Sequence, residues 1–134
     1  MTEFDSLSLC VHHELGHLEL ARVLGYPGWV YIERQSRNGA VWHAGRCGHA
    51  DVSIAEHRRF IGLAGACAEA LAYGDHSDGI LTSVVRRISH NDAVYAGPFG
   101  RSHIDECLNL VRTLMPLIRQ RAEQEISLFT QRAA

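Results

Sequence analysis

A run of small side chains, Gly62-Leu-Ala-Gly-Ala-Cys-Ala-Glu69-Ala, restricts the fold more than any other part of the sequence. It lies inside a segment with the features of a helix, which runs from a predicted capping box at Ser53 to Tyr73 and is followed by Gly74 as a stop signal. Small side chains allow a second helix to approach closely, so we expect this helix to pack directly against another one. If Glu69 is buried there, its carboxylate needs a polar partner.

The N-terminal segment has the pattern of that partner helix. Asp5 or Ser6 can cap its start. Gly25 and Pro27 supply a stop signal after residue 24. Apolar residues recur at intervals that place them roughly on one helical face: Leu7, Val11, Leu15, Leu18 and Val23. We therefore expect the two long helices to be in direct contact.

Between these helices the sequence predicts a β-hairpin. The segments WVYI (29–32) and AVWHA (40–44) are rich in aromatic and β-branched residues, and Asn38-Gly39 precedes the second of them. An Asn-Gly pair flanked by such runs is typical of a tight hairpin turn. The hairpin can offer an edge strand to an extended peptide, or it can simply cover the core.

The second half of the chain is predicted to form shorter helices followed by a long one. The elements in order are a polar loop over 75–79, a short helix near 80–88, a short helix capped by Ser89, a break at 96–100 and a final helix over about 102–131. Pro116 is expected to kink the last helix. With no internal repeat or linker, the sequence predicts one domain over residues 1–134, mainly α (α+β), with a small hairpin between the first two long helices.

Composition is that of an ordinary globular domain and suggests no particular partner. Hydrophobic residues make up 46% of the chain and charged residues 21%, and the net charge of −2 gives no indication of nucleic acid or an anionic membrane as a partner. The basic pairs Arg58-Arg59 and Arg86-Arg87 are isolated, so we expect them on solvated helix faces. The longest apolar stretch, residues 60–73, is too short to span a bilayer.

Cysteine usage and the N-terminus favour a reducing, cytoplasmic location. The four cysteines form no C-x-x-C pair, and three lie in apolar helical segments, so free buried thiols are expected: Cys10, Cys47, Cys67 and Cys107. The N-terminus, MTEFDSLSL, is acidic and lacks the basic and apolar regions of a secretory signal.

Residues 13–17 form the pattern H-E-x-x-H found in zinc hydrolases. On a helix, positions i and i+4 lie one turn apart on the same face, so the imidazoles of His13 and His17 can reach one ion. Glu14 can lean toward a water on that ion and act as a general base. The motif falls in the middle of the first predicted helix, as this chemistry requires. The motif alone therefore suggests a Zn²⁺ site, and the alternative is a chance match on a solvated helical face of a histidine-rich chain.

A catalytic zinc ion needs one more protein ligand and an open position for water. The sequence downstream offers these carboxylates and histidines: Glu56, Glu69, Asp75, His76, Asp78, His90, Asp92 and His103. A glutamate from a second helix is one solution, and Glu69 fits it. Asp92, near the start of a helix, fits equally well on chemistry alone, so the residues by themselves leave both alternatives open.

Three ordered segments resemble those of the FtsH-type zinc peptidases, the protease domain of membrane-bound AAA proteases. Residues 13–25 (HELGHLELARVLG) resemble the H-E-A-G-H helix of that family, residues 65–74 (GACAEALAYG) its G-x-x-A-E-E-x-x-x-G segment, and residues 89–96 (SHNDAVYA) the segment with its zinc-binding aspartate. The resemblance implies a compact zincin-like helical domain in which Asp92 is the third ligand. It also implies that Glu69 bonds the free nitrogen of a zinc histidine.

The predicted function is that of a zinc-dependent metallopeptidase acting on peptides or unfolded proteins. His13, His17 and Asp92 would hold Zn²⁺, with Glu14 as the base. The chain has no G-x-x-x-x-G-K-[ST] phosphate loop and hence no ATPase module of its own, so a separate ATPase or self-association is a candidate partnership. The alternative is a catalytically silent, zinc-stabilised interaction protein with a peptidase-like fold.

The other seven histidines are expected at surface or capping positions rather than at the metal: His12, His43, His49, His57, His76, His90 and His103. The roles of His43 and His90 are left open, because His43 lies on the predicted hairpin and His90 is close to Asp92. Retention of Glu14 favours an enzyme over the silent alternative, since a purely structural zinc site has no use for a general base.

Overall fold

The first long helix, α1 (Glu3–Val23), begins at a capping box. In this computed structural model, which describes residues 1–73 and 77–133, the Thr2 side chain accepts a hydrogen bond from Asp5 N and the Asp5 carboxylate accepts one from Thr2 N. The prediction of Asp5 or Ser6 as the cap is wrong, because Asp5 occupies the third helical position instead. The helix ends close to the predicted position, where Gly25 adopts a φ of +99° that favours glycine.

A two-stranded antiparallel hairpin follows, as predicted, with β1 (Gly28–Arg37) paired to β2 (Ala40–His49). The register runs from Gly28 opposite His49 to Arg37 opposite Ala40, so both strands are longer than the predicted runs. The Asn-Gly turn between them has positive φ at both residues, 51° and 80°, which a two-residue hairpin loop requires. β2 packs against α1 and so brings the hairpin close to the H-E-x-x-H motif.

The small residues of α2 (Ala55–Tyr73) pack directly on α1, as predicted. A Cβ at Gly16 of α1 would lie 2.6 Å from the carbonyl oxygen of Ala64 and equally close to the Cβ of Ala68, so the two helices are nearly in backbone contact. This approach buries the centre of α2 against the face of α1 that carries the motif. The helix begins one position later than the predicted capping box requires.

Two short helices, α3 (Ile80–Arg87) and α4 (His90–Ala96), and the long helix α5 (Arg101–Ala133) complete the described fold. Their order agrees with the prediction, and Pro116 lies inside α5 without ending it. The main core is formed by apolar side chains of α1, α2 and α5, among them Val11, Leu15, Leu63, Leu108 and Ile118. The predicted stop and loop residues 74–76 lie outside the described residues.

Within the described residues the chain is mainly helical, with five helices and one small hairpin between the first two long helices, which confirms the predicted fold class. No helix in that part of the chain is both long and apolar enough to cross a membrane. The four cysteines are free, as expected, with Cys67 and Cys107 buried and Cys10 and Cys47 half-buried.

Candidate metal centre

Side chains of α1 and α4 meet at one point beside the middle of α1. His13 and His17 project from α1 one turn apart, and Asp92 faces them from the first turn of α4. The Oδ2 atom of Asp92 lies 2.9 Å from Nε2 of His13 and 3.2 Å from Nε2 of His17, and the two Nε2 atoms are 3.2 Å apart. The three side chains predicted as ligands therefore meet in space, and their three atoms are called the ligand triangle below.

The ligand triangle fits a tetrahedral zinc ion. Zinc bonds to nitrogen and oxygen of about 2.0–2.2 Å place the ligand atoms of a tetrahedron about 3.3–3.5 Å apart. The measured edges of 2.9–3.2 Å are only a few tenths of an ångström shorter. Two imidazole nitrogens and one carboxylate oxygen are also a donor set typical of catalytic zinc, which keeps its fourth position open. The donors present thus suit the ion that the sequence predicts.

The other ring nitrogens have partners that leave Nε2 available for a metal. Nδ1 of His17 donates a hydrogen bond to the backbone carbonyl of Ile61 at 2.6 Å, and Nδ1 of His13 donates one to Oε2 of Glu69 at 2.9 Å. Because both partners accept a proton from Nδ1, they favour the tautomer whose Nε2 carries the lone pair. The contact of Glu69 is the one that the resemblance implies, while Asp92 faces the two Nε2 atoms.

A glycine of α2 makes room for both imidazoles. A Cβ at Gly65 would lie 2.3 Å from Nε2 of His17 and 2.7 Å from Nε2 of His13. Any larger residue there must displace one ring or both, because interiors are close-packed and such distances are far inside van der Waals contact. The sequence signalled close helix packing at this segment but not that a single glycine shapes the site.

Hydrogen bonds hold Asp92 and set its charge. Ser89 caps α4, as predicted, with Oγ accepting a hydrogen bond from Asp92 N at 3.1 Å. Burial alone would raise the pKa of Asp92, but its hydrogen bonds with His13 and His17 outweigh burial and keep that pKa well below the usual range. Asp92 is therefore an anion that faces the two imidazoles.

The same contacts favour the protonated form of His13. Burial opposes its protonation, but the hydrogen bonds to Asp92 and Glu69 outweigh burial and raise the pKa of His13 to about 10. A histidine ligand must be neutral at the coordinating nitrogen, so a zinc ion and a proton would compete for Nε2 of His13.

Glu14 lies beside the two histidines. Ligand atoms of His13, Glu14 and His17 all lie within 4.8 Å of one another. β2 covers this carboxylate, since a Cβ at Gly45 would lie 2.5 Å from Cγ of Glu14. Burial raises the pKa of Glu14, and electrostatic interactions with His17 and His13 offset part of that rise. A buried carboxylate with a raised pKa is a stronger base than an ordinary carboxylate, which suits it to take up and return a proton.

The site opens into a cleft of about 610 Å³ between β2 and α4. β2 presents its unpaired edge there. His43 N donates to Oγ of Ser6 at 3.0 Å rather than to β1, and backbone groups alternate in direction along an antiparallel strand. Gly45 and Cys47, which line the cleft, therefore also point their backbone N–H and C=O groups away from β1.

Two histidines expected at surface or capping positions are buried instead. Nδ1 of His12 donates to a backbone carbonyl one turn earlier at 2.7 Å, and its ring meets Tyr73 edge-on with centroids 5.2 Å apart. His43 contacts Oγ of Ser6, and its ring packs against Phe129 of α5 with centroids 5.5 Å apart. The prediction is wrong at these positions, because α2 and α5 cover faces of α1 and β2 that local sequence did not mark as internal.

The remaining histidines lie apart from the ligand triangle or outside the described residues. His90 is exposed at the start of α4, in agreement with the prediction. Nδ1 of His103 accepts a hydrogen bond from Gly100 N at 2.9 Å, which confirms a capping position at the start of α5. His49 and His57 are half-buried, and His76 lies outside the described residues.

The basic pairs are not simply solvated, and for Arg87 that prediction is wrong. NH1 of Arg87 forms an ion pair with Oε1 of Glu69 at 2.7 Å. Arg58 and Arg59 are half-buried and each donates to a backbone carbonyl at 2.8 Å, whereas Arg86 is exposed and pairs with an exposed aspartate. An isolated basic pair in the sequence cannot show that a half-buried carboxylate of another helix is within reach.

No protein-family model matches the chain, and no curated protein matches it either. The function is therefore inferred from the side-chain geometry of the chain itself, in which His13, His17 and Asp92 converge beside Glu14.

Proposed function

We propose that the protein is a zinc-dependent metallopeptidase that hydrolyses peptide bonds in peptides or unfolded proteins. The observation that supports this most directly is the ligand triangle of His13, His17 and Asp92, with Glu14 beside it and an open cleft in front. Those three side chains are the proposed zinc ligands. When bound there, zinc polarises a peptide carbonyl and lowers the pKa of water.

In this proposal Glu14 is the general base. Its carboxylate accepts a proton from the attacking water and then delivers it to the leaving amine nitrogen as the C–N bond breaks. The raised pKa of Glu14 suits both steps, because it makes the carboxylate a better base and keeps the protonated form within reach. Backbone groups of Gly45 and Cys47 align an extended substrate by adding it to the unpaired edge of β2.

The alternative is a catalytically silent interaction protein that zinc stabilises. A purely structural zinc site normally has four protein ligands and no open position. Here three ligand atoms border an open cleft, and a buried carboxylate lies next to them, so the arrangement favours the enzyme. The free thiols of all four cysteines support the proposal of a reducing location such as the cytoplasm.

The test compares Glu14→Gln with Glu56→Gln, which changes an exposed carboxylate in the first turn of α2. Hydrolysis of a panel of unfolded proteins and peptides is measured on zinc-loaded protein, with and without a supplied ATPase. Glu14→Gln should keep its zinc but lose activity by at least about 100-fold, the lower limit for general acid–base catalysis. Glu56→Gln should change neither.

Equal activity in wild type and Glu14→Gln would remove Glu14 from the mechanism. A wild-type chain that binds zinc yet cleaves no member of the panel under either condition would support the silent interaction protein instead.

A further inference from the structure

A continuous chain of polar contacts leads from the ligand triangle to α3. Nδ1 of His13 donates to Oε2 of Glu69 at 2.9 Å, and Oε1 of the same carboxylate accepts from NH1 of Arg87 at 2.7 Å. Each oxygen of Glu69 therefore has its own partner. A carboxylate bonded at both oxygens is held in orientation, whereas one with a single partner can turn about its side-chain bonds.

The low exposure of Glu69 also calls for a positively charged partner. Its side chain is only 17% exposed, in a helix whose neighbouring positions are alanine, glycine and cysteine. A carboxylate that is largely removed from water is costly unless it is paired. A histidine that coordinates a metal is itself neutral, so Arg87, which is 23% exposed, is the permanently charged side chain in contact with Glu69.

The position of Arg87 in the chain connects it to the other side of the site. Arg87 is the last residue of α3, and α4, which carries Asp92, begins at His90. Its Nε also donates to Oγ of Ser83 at 3.4 Å within α3. One side chain thus joins α2, which supports His13, to the segment that delivers Asp92.

We propose that Arg87 is a positioning residue of the metal centre, which holds the Glu69 carboxylate so that Glu69 orients His13 for the metal. This inference rests on the proposed zinc site. Arg87 touches neither the ligand triangle nor the cleft in front of it, so its effect must pass through Glu69.

The test measures zinc affinity by competition with a chromogenic chelator. Arg87→Met keeps much of the apolar stem and should weaken zinc binding by about tenfold, the lower end of the range for residues that support metal ligands. Arg87→Lys, which can still donate to Oε1 as a point charge, should recover part of that loss. The matched control is Arg86→Met, which removes the neighbouring exposed arginine of the same helix and should leave zinc affinity unchanged.

A double-mutant cycle separates positioning from a general effect on folding. In a Glu69→Gln background, Arg87→Met should change zinc affinity by less than about twofold, because the group through which Arg87 acts is already altered. The proposal is overturned if Arg87→Met binds zinc as tightly as wild type. It is equally overturned if Arg87→Met loses as much affinity in the Glu69→Gln background as in the wild type.

Failure of the zinc site itself would look different. If the wild-type chain binds no zinc, the proposed function is refuted. The four proteins of the cycle, which are the wild type, Arg87→Met, Glu69→Gln and the double variant, are then compared by urea unfolding with chelator present. Coupling between Arg87 and Glu69 in that cycle would support the ion pair as the link between α2 and α3, and its absence would overturn that link too. Circular dichroism on each variant identifies any that does not fold, in which case Arg87→Lys takes the place of Arg87→Met in the cycle.

Discussion

Gly65→Ala should disable the metal centre while leaving the fold largely intact. The added carbon would lie 2.3 Å from Nε2 of His17 and 2.7 Å from Nε2 of His13, where ordinary contact begins at 3.4 Å. Neither ring can move away freely, because Nδ1 of His17 is bonded to the Ile61 carbonyl at 2.6 Å and Nδ1 of His13 to Glu69 at 2.9 Å. A ring shift of about 1 Å is several times the tolerance of about 0.2 Å in zinc–ligand distances.

The expected magnitude differs between metal binding and folding. Losing one of three protein ligands should lower zinc affinity by at least about 100-fold, or about 2.7 kcal/mol. In the metal-free protein, alanine gains about 1 kcal/mol over glycine in helix propensity, which offsets part of an overpacking cost of about 1–3 kcal/mol. The free energy of unfolding without metal should therefore fall by no more than about 2 kcal/mol.

Two measurements decide this: chelator competition for zinc affinity, and urea unfolding with chelator present for stability. The control is Gly100→Ala, whose Cβ would meet no atom within 4 Å and which should leave zinc affinity unchanged. If Gly65→Ala binds zinc as tightly as wild type, the imidazoles are not where the structure places them and the reasoning is refuted. If metal-free Gly65→Ala is unfolded, the overlap between the added Cβ and the imidazoles disrupts the packing of the helices as well as the positions of the two rings.

Three other outcomes are expected. Asp92→Ala should reduce the ligand triangle to two histidines and lower zinc affinity by at least about 100-fold in the chelator assay. The control, Asp78→Ala, removes an exposed carboxylate that pairs only with Arg86 among the described residues, and it should leave zinc affinity unchanged. Leu63→Ala, at a fully buried position of α2, should lower the free energy of unfolding by about 2–5 kcal/mol in urea, and a loss below about 1 kcal/mol would contradict that core position. Cys10 and Cys47 should resist iodoacetamide at pH 8 in the folded protein, because burial raises the pKa of each thiol to about 12. Mass spectrometry should show that both react after unfolding, and rapid labelling of the folded chain would contradict the prediction.

Local patterns in the sequence were sufficient for elements whose signals lie within a few residues. The Asn-Gly pair predicted the hairpin turn because a two-residue loop needs positive φ at both positions. Ser89 predicted the start of α4 because its hydroxyl satisfies a free backbone N–H. The spacing of His13 and His17 predicted a shared face, since helical geometry places i and i+4 together.

Contacts between distant segments were decided by the tertiary structure. Chemistry alone left Glu69 and Asp92 open as the third ligand, and the fold places Asp92 at Nε2 of His13 and Glu69 at its Nδ1. The burial of His12 and His43 was missed because it comes from α2 and α5, which cover faces of other elements.

The same division explains why Arg87 was expected in solvent. An arginine at the end of a short helix has no local signal for a partner, and its ion pair with Glu69 spans 18 positions in the chain. The sequence determined which helices form and which face of α1 carries the motif. How closely α2 approaches that face, with Gly65 against the two imidazoles, depends on packing summed over many side chains from several elements, which short-range periodicity does not encode.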